Sequence, residues 1–165
     1  MSAFRKILVP TDFSPHAAEA FRVAHDLAKA TGASVVVFHV SRPPAVVSDG
    51  DRLLSASAPG EAKDVWDELR KIQAKDPAVR VEHEVIVADR PDAEHILRIL
   101  QGRGCDLIVM GTHGRTGLRH LLFGSVTEDV VRKSHCPVMV VKAPAREAGA
   151  PTHPAAAQPA ARVKP

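Results

Sequence analysis

The sequence predicts a five-stranded doubly wound α/β domain, and three observations carry that prediction. Short, nearly continuous apolar runs recur along the chain, as strands buried on both faces of a parallel sheet require. Stretches with apolar residues at helical spacing separate them. The strand-then-helix unit repeats from one end to the other, and right-handed crossovers then place helices on both sides of the sheet.

Lys6 to Pro10 is the first apolar run, and Ser14 followed by Pro15 supplies a helix N-cap with proline at the first helical position. Ala17, Ala20, Phe21, Ala24, Leu27 and Ala28 form the stripe of that helix, and Gly32 closes it. Ala33 to Val40 is the second strand. A long stretch of small and polar residues follows from Arg42 to Gly60, read as a loop that is mobile or functional, with a lid as one role. Val65, Leu69 and Ile72 mark the second helix, and Val79 to Val87 alternates as the third strand. Pro91 opens a third helix with Ala93, Ile96, Leu97 and Leu100 on one face, ended by Gly102 or Gly104. Cys105 to Met110 is the fourth strand. The last helix begins near Gly124, with Glu128 and Asp129 early and Arg132 and Lys133 late, as its dipole favours. Pro137 to Val141 is the fifth strand.

The domain spans residues 1–142 in this reading. From Ala143 to Pro165 the chain is dominated by Ala and Pro and lacks the apolar surface to offset its ordering entropy, so a disordered tail is expected.

Composition narrows the function. Aromatic residues make up 4% of the 165-residue chain and Tyr is absent, which argues against a base-stacking platform. The formal charge is +3, but Arg146, Arg162 and Lys164 against Glu147 place two of those charges after Lys142. No Lys/Arg cluster remains inside the folded part to displace counterions, so no nucleic-acid partner is expected. The first ten residues lack a signal-like apolar region and no stretch approaches roughly 18 apolar residues, so a cytoplasmic protein without membrane contact is expected. Cys105 and Cys136 are far apart and each adjoins an apolar run, as buried thiols do. The nine histidines show no metal-binding spacing, and no metal site is expected.

The stretch that carries chemistry lies between the fourth strand and the last helix: Gly111-Thr112-His113-Gly114, nine residues, then Gly124-Ser125. In an open parallel sheet, ligands bind outside the carboxyl ends of the strands, and amides at a helix N-terminus hold anions such as phosphate. Glycines 111, 114 and 124 permit close backbone approach. The Ser125 hydroxyl and the amides of Ser125 and Val126 can donate to phosphate oxygens, with Arg115 or Arg119 adding charge. The pattern is not a Walker A loop, which needs Gly-Lys-Ser/Thr, and the first strand runs into Thr11-Asp12-Phe13-Ser14 without the glycines of a dinucleotide fingerprint. A purely structural role also fits: Gly111 ending a strand, Gly124 starting a helix, Ser125 capping it.

Gly111, Gly114, Gly124 and Ser125 match the G-x2-G-x9-G-S/T nucleotide motif of the universal stress protein family, which the chain resembles. The opening Ile7-Leu8-Val9-Pro10-Thr11-Asp12-Phe13-Ser14, the block Met110 to Gly117 and the closing Cys136-Pro-Val-Met-Val-Val141 are similar to that family's segments in the same order. The resemblance implies strand order 3-2-1-4-5, with the topological reversal between strands one and four and Asp12 across the crevice from Gly111. It implies ATP, with Mg, as ligand. The implied nucleotide-binding set is Pro10, Thr11, Asp12, Val40, Met110, Gly111, His113, Gly114, Arg115, Gly124, Ser125, Val126 and Thr127. A carboxylate beside phosphates would repel them, so Asp12 should face ribose hydroxyls or the adenine edge, and the Val40 backbone should read adenine. The resemblance also suggests a homodimer through Pro137 to Val141, an edge strand that otherwise invites uncontrolled pairing.

No catalytic set is legible. There is no Gly-x-Ser-x-Gly elbow and no acidic pair that can be placed beside the loop. His113 fits approach to a γ-phosphate and fits an ordinary surface loop equally. Three functions stay open at this point: a nucleotide-dependent stress-response switch acting on a regulatory protein partner, a slow ATPase in the same crevice, and a dimeric scaffold without nucleotide.

Overall fold

The computed structural model describes residues 4–41, 46–49, 52–55, 61–89, 92–113 and 123–143. In chain order the elements are β1 (Lys6–Pro10), α1 (Pro15–Thr31), β2 (Ser34–Ser41), β3 (Val46–Asp49), β4 (Arg52–Ser55), α2 (Glu61–Lys71), β5 (Val81–Val87), α3 (Ala93–Gly102), β6 (Leu107–Gly111), α4 (Ser125–Lys133) and β7 (Val138–Val141). The main sheet is parallel throughout, with order β5-β2-β1-β6-β7. Renumbered by main-sheet strand alone, this is the expected 3-2-1-4-5, with the reversal between β1 and β6.

The period of two along each strand sorts its side chains onto two cores. Ile7, Val9, Val35, Val37, Leu107 and Val109 join Ala20, Ala24 and Ala28 of α1 and Leu69 of α2 on one face. Leu8, Val36, Phe38, Ile108 and Met110 join Ala93, Ile96 and Leu100 of α3 and Val130 of α4 on the other. The alanine stripe lets α1 lie close to the sheet, while bulkier aliphatics fill the second layer. Each fully buried aliphatic contributes about 1.5–3 kcal/mol.

Local chemistry fixes the boundaries. Ser14 caps α1 by accepting from the Ala17 amide, and Gly32 ends it in the left-handed conformation (φ 75°) with its N–H on the Ala28 carbonyl. α3 starts at Ala93 under an Asp92 cap, whose Oδ1 accepts from the His95 amide at 3.0 Å. The expected initiator Pro91 lies outside the described residues. α3 ends at Gly102, and Gly104 then takes φ 63°. The fourth main strand begins at Leu107 rather than Cys105, because the Cys105 amide still bonds the Leu100 carbonyl of the ending helix. The third begins at Val81 rather than Val79, which is held in a turn by its N–H to Asp76 O at 3.0 Å.

One expectation is corrected. The segment from Arg42 to Gly60, read as a loop, contains the two-stranded antiparallel ribbon β3–β4, registered from Val46↔Ser55 to Asp49↔Arg52. Paired backbone replaces an unstructured excursion there, which satisfies its N–H and C=O groups. The expected disordered tail lies outside the described residues apart from Ala143.

At its amino edge the sheet is clamped at the reversal. The Arg5 and Lys6 amides donate to the Asp106 carboxylate at 3.0–3.1 Å, and the Asp106 amide donates to Lys6 O at 2.9 Å. Around Glu82 on β5, Lys6 of β1, Arg80 and Arg103 after α3 converge. No described helix is long and apolar enough to cross a membrane.

Candidate functional site

The carboxyl edge of the sheet behaves differently from the clamped amino edge. Pairing between β1 and β6 covers Ile7↔Leu107 and Leu8↔Ile108 and stops there, although β1 runs on to Pro10 and β6 to Gly111. Beyond that point β1 stays on β2 through Pro10↔Phe38, and β6 stays on β7 through Gly111↔Val141. Pairing between the two halves of the sheet ends at the topological reversal, where open parallel sheets leave a crevice outside the strand ends. In sheets of this kind ligands bind at that place.

One bank is the turn from β1 into α1. The Thr11 amide donates to Phe38 O at 2.8 Å, Thr11 Oγ1 accepts from the Phe13 amide at 3.1 Å, and Asp12 Oδ1 accepts from the Ser14 amide at 3.0 Å. The Asp12 carboxylate is therefore held at the mouth of the crevice by its own turn. Asp12 is half-buried and Thr11 nearly buried.

The other bank is the end of β6 and the start of α4. The Thr112 amide donates to Val141 O at 2.9 Å, and the Gly124 amide donates to Thr112 O at 2.8 Å, which joins the two ends of the 113–123 excursion. Thr127, 4% exposed, sends its hydroxyl to Gly111 O at 3.0 Å and so sets the first turn of α4 against the strand end. α1 and α3 each receive a side-chain cap, whereas Gly124 gives α4 none. The first turn of an α-helix carries backbone N–H groups without intrahelical acceptors, so the mouth of α4 is a donor cluster with a positive dipole end.

The two glycines here are used for different purposes. A Cβ on Gly111 would lie 2.8 Å from His16 Cβ and 3.0 Å from the His16 carbonyl carbon, so Gly111 exists to let α1 approach β6. That packing requirement stands apart from its nomination as a ligand-side residue. Gly124 has φ −69° and ψ 156°, open to any residue, and among the described residues its added Cβ would meet Thr112 O at 3.6 Å and His113 Cα at 3.8 Å, both ordinary contacts. No described residue makes a demand for glycine at 124.

The structure sorts the sequence-nominated residues. Pro10, Thr11 and Asp12 end one bank; Met110, Gly111 and His113 end the other; Gly124, Ser125, Val126 and Thr127 begin α4; Val40 lies near the end of β2, opposite Ile86. The Met110 side chain, 5% exposed, and Val126 pack in the second core, so only their backbone groups face outward chemistry. Gly114 and Arg115 lie outside the described residues. Sequence reading missed Phe13, His16, His39 and Thr112. His16 lies edge-on to His113 with ring centroids 5.8 Å apart. The Thr112 hydroxyl is buried without a hydrogen-bond partner among the described residues. Only their proximity to the strand ends, at positions 11–16, 39 and 112, could have drawn attention to them.

The described residues contain no group of His, Cys, Asp and Glu able to hold a metal ion by side chains alone. Burial pushes the Cys105 thiol up to about 11, so it is protonated at neutral pH and is no nucleophile.

A model of the universal stress protein family matches residues 3–142. Universal stress protein MJ0531 of Methanocaldococcus jannaschii is 34% identical over 148 residues, covering 87% of this chain and 85% of that one. Universal stress protein MJ0577 of the same organism is 32% identical, covering 84% of this chain and 95% of its own. The solved structure of MJ0577 superposes with a TM-score of 0.64 at 28% identity, over 84% and 95% of the two chains. The universal stress protein of Archaeoglobus fulgidus in complex with dAMP shares the fold with a TM-score of 0.55 at 23% identity, over 86% and 100%.

Proposed function

The chain belongs to the universal stress protein family, and from that premise we propose that it is a nucleotide-dependent stress-response regulator that binds ATP with Mg in the crevice between β1 and β6. Some proteins of this fold hold adenine nucleotides, the dAMP complex among them. The observation that carries the reading is Gly124: it heads a helix without a side-chain cap, its backbone angles suit any residue, and among the described residues nothing comes nearer than 3.6 Å to a Cβ placed there. A glycine that the described residues do not require is what a closely approaching phosphate would need, with the α4 amides as its donors.

In this reading Ser125, with the amides of Ser125 and Val126, holds phosphate oxygens, and Gly114, Arg115 and His113 complete that end. Asp12 faces ribose or adenine, Thr11 and Pro10 line the same bank, and the Val40 backbone reads the base. Mg would neutralise phosphate charge. ATP occupancy alters the surface offered to a regulatory partner in the cytoplasm, and the protein pairs with a second copy through β7. Among the described residues, those brought together offer donors and one carboxylate, with no acid–base pair placed to drive hydrolysis.

Mass spectrometry of what co-purifies, followed by calorimetry with AMP, ADP and ATP in the presence of magnesium, tests the proposal. Adenine nucleotide in the purified protein and saturable ATP binding are expected. No heat of association at millimolar ligand would reject it, and turnover at or above about 1 per second would replace the switch by an enzyme.

A further inference from the structure

Phe13 has φ 62°, the sole positive φ among the described non-glycine residues. An L-residue with a large side chain stays in that region only where its surroundings hold it. Within the turn, Thr11 Oγ1 and Asp12 Oδ1 engage the Phe13 and Ser14 amides. From outside the turn, the Thr11 amide is tied to Phe38 O at 2.8 Å, Phe13 packs against the first core, and the His39 side chain meets the turn at two points. His39, on β2, has Nδ1 2.8 Å from Thr11 O, and since a carbonyl only accepts, the proton sits on Nδ1 and the ring donates. The same ring lies 4.5 Å from the Phe13 ring, tilted by 39°.

Resting on the nucleotide reading above, we propose that His39 is a positioning residue: it holds the Thr11–Ser14 turn in the conformation that presents Asp12 to the nucleoside end of the ligand. His39 acts through the turn. Its donor fixes the Thr11 carbonyl, its ring backs the left-handed Phe13, and Asp12 lies between those two fixed points. Without the donor the Thr11 carbonyl loses its anchor, Phe13 relaxes toward negative φ, and the Asp12 carboxylate leaves its place at the crevice mouth. The phosphate end, built on α4, is untouched.

The test measures affinity for adenosine and for ATP by calorimetry in three full-length proteins: wild type, His39→Phe, which keeps a ring against Phe13 without the donor, and His39→Asn, which keeps an amide donor near the Nδ1 position. His39→Phe is expected to lose roughly fivefold to tenfold, the worth of one hydrogen bond, and by the same factor for both ligands because the loss lies at the nucleoside end. His39→Asn is expected to recover to within about twofold of wild type, and thermal midpoints do not predict the ranking, as they would for a purely structural residue. His39→Leu carries the same expectation should the phenylalanine variant not fold. If wild type binds both ligands and His39→Phe binds them equally well, or if His39→Asn is as weak as His39→Phe, this inference fails and the nucleotide reading stands. If wild type binds neither adenosine nor ATP, both fail.

Discussion

Gly111 lies so close to His16 that a methyl group on it would fall 2.8 Å from the histidine Cβ. The neighbours include His16 backbone, which cannot swing aside, so α1 as a whole would have to lift from β6. Gly111→Ala is therefore expected to cost about 1–3 kcal/mol, the usual penalty for overpacking. The check is thermal denaturation, where the midpoint should fall by roughly 3–10 °C.

Gly124 should give the opposite pattern. Gly124→Val adds bulk where phosphate is proposed to lie and meets no described backbone nearer than 3.6 Å, so its thermal midpoint should fall less than that of Gly111→Ala, by no more than an N-cap change costs, while ATP affinity falls by at least about tenfold, or 1.4 kcal/mol. Calorimetry and denaturation on the same preparation decide it. A midpoint loss as large as that of Gly111→Ala would make Gly124 a folding residue.

Thr127 links α4 to the end of β6 by one buried hydrogen bond to Gly111 O. Thr127→Val keeps the shape, removes the donor and leaves a carbonyl unanswered, at an expected cost of about 1–2 kcal/mol. Denaturant unfolding measures that cost. Because the same bond aims the first turn of α4, ATP affinity should fall with it.

Cys105 makes stability depend on alkaline pH. Its folded-state value of about 11 stands above the ordinary 9.0 because burial disfavours the thiolate. Between about pH 9 and 11 the folded chain keeps a proton that the unfolded chain releases, so this contribution is present below pH 9 and is lost as pH rises through that window. The denaturation midpoint should fall less between pH 8 and pH 10.5 in Cys105→Ala than in wild type, and alkylation of Cys105 in the folded protein should lag a free thiol up to about pH 10.

The carbonyls of Pro137 and Val141 face β6, bonding Ile108 and Thr112, so the two-residue period turns the Val140 backbone groups to the open edge. Val140→Pro removes an outward donor and leaves the β6 ladder intact. If β7 joins two copies, this variant should sediment as a monomer with an unchanged circular dichroism spectrum. An unchanged dimer would reject that interface.

Periodicity made the five main strands and four helices legible, because strands buried on both faces and alanine-striped helices write their burial directly into residue order. The β3–β4 ribbon also left a trace, Gly50-Asp51 between Val46-Val47 and Leu53-Leu54, which the surrounding small and polar residues obscured. The Gly111 to Ser125 pattern announced the phosphate end of the proposed site, since glycines and a helix start are local in sequence.

What the residue order alone determined, then, is the parallel sheet, its helices and the family motif, all set by short-range spacing. Tertiary structure alone decided that Gly111 makes room for α1 while no described residue requires glycine at 124, that β1–β6 pairing ends at Leu8 and Ile108, and that His39 bonds the Thr11 carbonyl 28 residues away. Those facts are distances between segments remote in sequence, and only the assembled sheet brings the segments together.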